Sequence, residues 1–145
     1  MYNNQRVVLI IPCYNEAEGL KKILSVLPYF IDEVIVVDND SDDNTAEIAG
    51  KHGARVIFEK HRCYGSAYQA GILSLQNGDI VIMMDGDNTV SLQEAERFFL
   101  CMDKEGYDFL SGCRFPLIDA RAMPLVKRIS NYFFHGLSEN PLMWI

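Results

Sequence analysis

Val7-Val8-Leu9-Ile10-Ile11-Pro12-Cys13-Tyr14-Asn15-Glu16 sets five apolar residues, four of them β-branched, directly before a proline and a cluster of polar side chains. A run without polar alternation has no solvent face, so it predicts a strand buried on both sides and stopped at Pro12. Asn15 with Glu18 then reads as a capping box, and Leu20, Ile23, Leu24 and Leu27 fall on one helical face up to Pro28. The same pattern recurs along the chain. Val34 to Val37 is a second buried strand, an acidic turn leads to a helix from Thr45 to His52, and Gly53 ends it. Val56 to Phe58 is a third strand, Gly65 to Gln76 a helix closed by Gly78, and Ile80 to Met84 a fourth strand. Ser91 and Glu94 form a capping box that opens a helix to Lys104, and Tyr107 to Leu110 reads as a fifth strand. Strands alternating with helices through short connections predict an α/β sandwich with a mostly parallel sheet covered on both faces.

The 145 residues suit one domain, 1–145, around a single core. Acidic residues outnumber basic ones by 20 to 13, a net charge of -7, which excludes broad nucleic-acid binding because phosphate neutralisation needs a basic surface. Cys13, Cys63, Cys101 and Cys113 make no C-x-x-C pair, and polar residues follow Met1 in place of an apolar secretory segment. The longest apolar runs are far shorter than the roughly 20 residues that span a bilayer. A reducing, cytoplasmic setting is the expectation.

Open α/β sheets bind ligands outside the carboxyl ends of their strands, so the residues there carry the functional prediction. Strand one ends in Pro12-Cys13-Tyr14-Asn15-Glu16, strand two in Asp38-Asn39-Asp40-Ser41, strand four in Asp85-Gly86-Asp87-Asn88, and strand five in Ser111-Gly112-Cys113-Arg114. Asp85 and Asp87 alternate in an extended segment and so point the same way, a pair that Mg²⁺ or Mn²⁺ would neutralise and bridge to a diphosphate. Gly86 between them permits close approach of a ligand to the backbone. Asp38 could accept a hydrogen bond from a nucleobase or a ribose hydroxyl, while Asn44 or Asp43 caps the following helix. Tyr14 offers a flat face to a base, with Pro12 stiffening the approach. Arg114 could hold a phosphate through its fork of donors, and with Arg121, Lys127 and Arg128 it makes a local basic excess. From Pro124, Leu125, Val126, Ile129, Tyr132, Phe133 and Leu137 give an amphipathic helical pattern, suited either to a membrane surface or to the protein's own core. His52, His61 and His135 lack ligand spacing and read as structural.

Together IPCYNEAEGL, VIVVDNDSDDNTAEIA, YGSAYQAGI, IVIMMDGDN, DFLSGCRF and MPLVKRISNYFF resemble, in order and spacing, the family 2 glycosyltransferases of GT-A fold, especially the polyprenyl-phosphate type. The resemblance implies a Rossmann-like three-layer sandwich, with a nucleotide-binding core over 1–112 and the start of the acceptor side over 113–145, the rest of that side being absent. It implies that Pro12, Tyr14 and Glu16 border the nucleoside and that Val37 and Asp38 line the base. Asp85, Gly86 and Asp87 would be the D-x-D that grips ribose and metal-bound diphosphate, with Asp87 catalytic and Arg114 on phosphate. The implied reaction is inverting, metal-dependent transfer from a UDP- or GDP-sugar to a polyprenyl phosphate at the cytoplasmic membrane face. Two residues depart from the usual pattern: Cys63 stands in place of a glycine, and Asp40 in place of a neutral residue.

Two rival readings use the same residues. A haloacid-dehalogenase-like phosphatase would employ Asp85 as nucleophile and Asp87 as acid and base, but its loop normally follows the first strand, and its later lysine and acidic pair find no place after residue 89. A non-catalytic nucleotide-sugar-binding remnant paired with a partner subunit would need only the donor site. A dehydrogenase is excluded, since no G-x-G-x-x-G follows strand one.

Overall fold

The computed structural model describes residues 1–89 and 91–112. The chain resolves into two compact units, Met1–Glu96 and Arg97–Ile145. In the first, β1 (Val7–Cys13), α1 (Ala17–Ser25), β2 (Glu33–Asp38), α2 (Thr45–Lys51), β3 (Arg55–Phe58), α3 (Tyr64–Leu73) and β4 (Ile80–Met83) alternate as the apolar runs predict. The strands form one parallel sheet in the order β3-β2-β1-β4.

All seven residues of β1 are buried, because β1 lies between β2 and β4 and has helices on both faces. Its alternate side chains feed two cores. Leu9, Ile11 and Cys13 pack with Leu20, Ile23 and Leu24 of α1, Val36 of β2 and Ala49 of α2. Val8 and Ile10 pack with Ile35, Val37 and Ala67 on the α3 side. Each fully buried Val, Leu or Ile contributes roughly 1.5–3 kcal/mol relative to exposure, which explains why the β-branched runs decide the architecture. Gly71 lets α3 lie close on the sheet, since a Cβ there would come within 2.6 Å of Ile10 Cγ2.

Several boundaries differ from expectation for identifiable reasons. β1 continues through Pro12 to Cys13 instead of stopping at the proline. Position 12 faces the β4 side, where the ladder has already ended at Met83 opposite Ile10, so no carbonyl there needs the missing N–H. Helices α1 and α3 finish two and three residues before Leu27 and Gln76, each followed or ended by a serine that bonds back into the last turn. Ser25 Oγ donates to Lys21 O at 2.6 Å, and Ser74 Oγ donates to Gly71 O at 2.7 Å, in competition with the helical ladder.

Neither capping box forms. Asn15 adopts a left-handed φ of 56° and turns its side chain toward the loop after β2, leaving Glu16 as the residue before α1. Ser91 bonds the side chain of Gln93, and a short 3-10 turn, Leu92–Glu94, precedes α4 (Ala95–Glu105). The fifth strand is also absent: residues 107–112 are irregular, with Tyr107 and Phe109 exposed, and they join no ladder among the described residues. Asp108 interrupts that run, so it lacks the continuous apolar character of the buried β1 and β2. Arg114 and the amphipathic segment from Pro124 lie outside the described residues.

Candidate functional site

From β1 the chain passes to one side to build β2 and β3, then returns on the other side as β4. The order therefore reverses between β1 and β4, and it is outside the carboxyl ends of the strands at such a point that open α/β sheets bind ligands. Asp38, the last residue of β2, lies in register with Cys13, the last of β1. It is 5% exposed, and its Oδ1 accepts the Ser41 N–H at 3.2 Å. Asn39 crosses to both neighbours, its N–H donating to Cys13 O at 2.9 Å and its Nδ2 to Glu59 O at 3.0 Å. Val37 is buried in the α3-side core, so its side chain supports the site from below.

Buried Thr45 and exposed Asp43 together fix the turn after β1. Thr45, with no exposed surface, accepts the Glu16 N–H at 3.0 Å and bonds Asp43. Asp43 accepts the Thr45 N–H at 2.9 Å and reaches the Ala17 N–H at 3.3 Å, so one carboxylate serves the first turns of α2 and α1 together. Of the two capping candidates, Asp43 takes the role. Asn15 closes the turn, accepting the Asp42 N–H at 2.8 Å while its own N–H donates to Ser41 Oγ at 3.0 Å.

The Asp85-Gly86-Asp87 loop is seated on this turn. A Cβ on Gly86 would lie 2.7 Å from Cys13 Sγ, so the glycine is required by the protein's own β1 end. A Cβ on Gly19 would lie 2.4 Å from Gly86 O and 3.2 Å from Asp87 Cα, so α1 must also present a glycine to the loop. Asp87 Oδ1 accepts from both the N–H and the hydroxyl of Thr89, at 2.9 and 2.8 Å. Asp85 Oδ1 accepts from the Tyr64 hydroxyl at 2.6 Å, with the Tyr68 hydroxyl 3.5 Å away.

The carboxylates from these separate loops act on one another. Burial, and then repulsion by Asp87, Asp43 and Asp85, pushes the Glu16 carboxyl above its ordinary range. Burial, with Glu16, Asp38, Asp43 and Asp85 nearby, pushes the Cys13 thiol up to about 12. The ends of β1, β2 and β4 meet at Cys13, which lies in register with Asp38 and against Gly86. No group of three or more His, Cys, Asp or Glu among the described residues is arranged to hold a metal ion. Asp85 and Asp87 fit a divalent ion as two hard carboxylates in a region of excess negative charge, with the remaining ligands left to phosphate oxygens and water.

Sequence reasoning missed three residues of this rim. Arg62, just before α3, donates to Asp40 Oδ2 through Nε at 2.8 Å and to the Tyr14 hydroxyl through Nη1 at 3.0 Å. Tyr64 and Tyr68, which hold Asp85, stack edge to face with ring centroids 4.8 Å apart. All three follow the end of β3, the one strand end left out of the sequence survey.

The family described as "Glycosyl transferase family 2" matches residues 8–128. This chain belongs to glycosyl transferase family 2. An uncharacterised glycosyltransferase of Mycobacterium tuberculosis is 37% identical over 123 residues, covering 85% of this chain and 55% of its own. Dolichyl-phosphate hexose transferase of Haloferax volcanii is 34% identical over 140 residues, covering 94% of this chain and 60% of its own. The chain therefore spans little more than half the length of these curated relatives. Among solved structures, mannosyl-3-phosphoglycerate synthase from Rubrobacter xylanophilus is 29% identical with a TM-score of 0.54, over 61% of this chain and 33% of that one. Glucosyl-3-phosphoglycerate synthase from Mycobacterium tuberculosis, in complex with uridine diphosphate, is 26% identical with a TM-score of 0.50, over 58% and 34%. The α/β sheet of this family 2 chain is accordingly of the GT-A kind. Its D-x-D loop follows β4, against the phosphatase alternative, whose nucleophile loop follows the first strand. No helix among the described residues is long and apolar enough to cross a membrane.

Proposed function

We propose that this chain is the donor-binding part of a glycosyltransferase that moves a hexose from a nucleoside diphosphate to a polyprenyl phosphate at the cytoplasmic face of a membrane. The carrying observation is that the Asp85-Gly86-Asp87 loop sits on the end of β1, with Gly86 against Cys13 and Glu16 and with Asp38 in register with Cys13, at the point where the strand order reverses. The uridine diphosphate bound by the mycobacterial synthase favours a uridine donor, with guanosine as the alternative. The Haloferax relative's name supports the lipid phosphate acceptor.

In this reading Tyr14 and Pro12 border the base, and buried Asp38 accepts a hydrogen bond from it. Glu16 and Asp85 flank the ribose and diphosphate, and Arg114 meets phosphate. Tyr64 occupies one oxygen of Asp85 and Thr89 one oxygen of Asp87, which leaves the second oxygen of each for ligand. Mg²⁺ or Mn²⁺ held by Asp85 and Asp87 supplies Lewis-acid neutralisation of the leaving diphosphate, worth several kcal/mol of barrier. An oxygen of the acceptor phosphate bonds to the anomeric carbon while the bond to the diphosphate oxygen breaks, and the nucleoside diphosphate departs with that electron pair. The configuration inverts. An acceptor already anionic needs no proton removed, so no general base is required.

Thermal melting tests the donor site. UDP or GDP should raise the melting temperature in the presence of Mg²⁺ or Mn²⁺ and not in their absence, because a ligand of the folded state stabilises it by mass action. The Asp85→Ala, Asp87→Ala double variant should lose the response; an undiminished shift in that variant would refute the assignment.

A further inference from the structure

The sequence singles out Asp40 as an unusual acid, and the donor site as proposed makes no use of it. In the structure Asp40 stands at a left-handed φ of 64° and turns its carboxylate toward Arg62. The guanidinium makes four bonds: Nε to Asp40 Oδ2 at 2.8 Å, Nη2 to Asp40 O at 3.1 Å and Asp42 Oδ2 at 3.4 Å, and Nη1 to the Tyr14 hydroxyl at 3.0 Å. Its central carbon also lies 4.9 Å from the Tyr14 ring centroid, within cation–π reach. One side chain from the end of β3 thereby ties the loop after β2 to the aromatic ring after β1.

Tyr14 is 43% exposed even with Arg62 against it, so part of the ring stays open to a ligand. An exposed tyrosine otherwise samples several rotamers, and ordering it on binding would cost affinity. A hydroxyl bond at one end and a cation on one face hold it in a single orientation beforehand. The planar fork is needed for this, because lysine has one ammonium and cannot serve Asp40 and Tyr14 in the same geometry.

We propose that Arg62, braced by Asp40, is a positioning residue that fixes Tyr14 as the platform for the donor's nucleobase, so that the acid at position 40 exists to hold the arginine. This rests on the donor-site reading above and adds to it a base-specific contribution from the loop after β3. Arg62 acts through Tyr14 and has no part in the metal and diphosphate end of the site.

The test separates the two ends of the ligand. Calorimetric titration of the parent, Arg62→Ala, Arg62→Lys and Asp40→Asn with UMP and GMP reports on the base, and titration with pyrophosphate plus Mn²⁺ reports on the other end. Arg62→Ala should weaken the nucleotide that the parent binds by about 3- to 10-fold, a range set by the cation–π contact and the lost ordering of one ring. Arg62→Lys should recover little, Asp40→Asn should fall between, and pyrophosphate affinity should stay at the parental value in all three. Unchanged or tighter nucleotide binding in Arg62→Ala overturns the proposal. So does an equal loss for nucleotide and pyrophosphate, which would mark a merely structural arginine. A parent that binds none of these ligands overturns the donor-site reading itself, and the role of Arg62 with it; a parent that binds, with indifferent variants, overturns only the role of Arg62.

Discussion

Gly19→Ala places a methyl group where α1 meets the Asp85-Gly86-Asp87 loop. In isolation the change favours the helix, by up to about 1 kcal/mol. Here the new Cβ would lie 2.4 Å from Gly86 O and 3.2 Å from the Cα and carbonyl carbon of Asp87, all of them backbone atoms. The loop must retreat by roughly 1 Å to reach an ordinary carbon–oxygen contact of about 3.4 Å. It cannot rotate a side chain out of the way. Overpacking of this kind costs about 1–3 kcal/mol, so a net loss of up to about 2 kcal/mol is expected after the helical gain. That is a fall of up to roughly 6 °C in melting temperature for a chain of this size. Displacing both carboxylates by this distance should also weaken metal-dependent UDP binding by about tenfold or more, since such sites tolerate only about 0.5 Å. Gly50→Ala in α2 is the matched control: nothing lies within 4 Å of its Cβ, so the same substitution should stabilise by about 0.5–1 kcal/mol. Urea denaturation and calorimetry on the two variants read both quantities. A Gly19→Ala protein as stable as Gly50→Ala, with parental UDP affinity, would refute the packing argument.

Thr45→Val keeps shape but removes the oxygen that accepts the Glu16 N–H and bonds Asp43, so urea denaturation should show a loss of about 1–3 kcal/mol for the two hydrogen bonds removed. Burial raises the Cys13 thiol from its ordinary 9.0 to about 12, so its contribution to stability is complete below pH 9 and disappears as pH climbs toward 12. Melting temperatures across that window should fall more steeply in the parent than in Cys13→Ala. In the folded protein at neutral pH, iodoacetamide should label exposed Cys63, whose thiol is lowered by N–H groups of Gly65 and Ser66, well before Cys13. Peptide mass spectrometry distinguishes the two.

The centre of the sheet was readable because β1 and β2 are buried on both faces: uninterrupted runs such as Val34 to Val37 have no other stable home, whereas β3 and β4 at its edges are only partly covered. The parallel order followed from alternation with helices. Helix ends were less legible, since Asn15 and Ser91 have capping chemistry but are claimed by other partners, Asp42 and Gln93, that no local pattern reveals. Tyr107 to Leu110 shows the limit of the pattern, since with Asp108 inside it the segment is not an uninterrupted apolar run. Asp38, Asp85 and Asp87 were singled out because strand ends are where such sheets place chemistry, and the structure brings those strand ends together at one edge of the core. Arg62 and Tyr64 were missed although the same rule reaches them, because β3 ends in Phe58 and three residues, Glu59 to His61, pass before Arg62 reaches the rim.

The register between β1 and β4 joins residues 73 apart, such as Val7 and Ile80, while the strands between them emerge from the ribosome earlier. Pairings so distant in sequence form late and slowly. Because β4 leads into the Asp85-Gly86-Asp87 loop, that loop takes its place on the end of β1 only once this distant pairing has formed. The donor binding proposed above is therefore also a readout of completed β1–β4 pairing, and destabilised variants should lose ligand before they lose helix content.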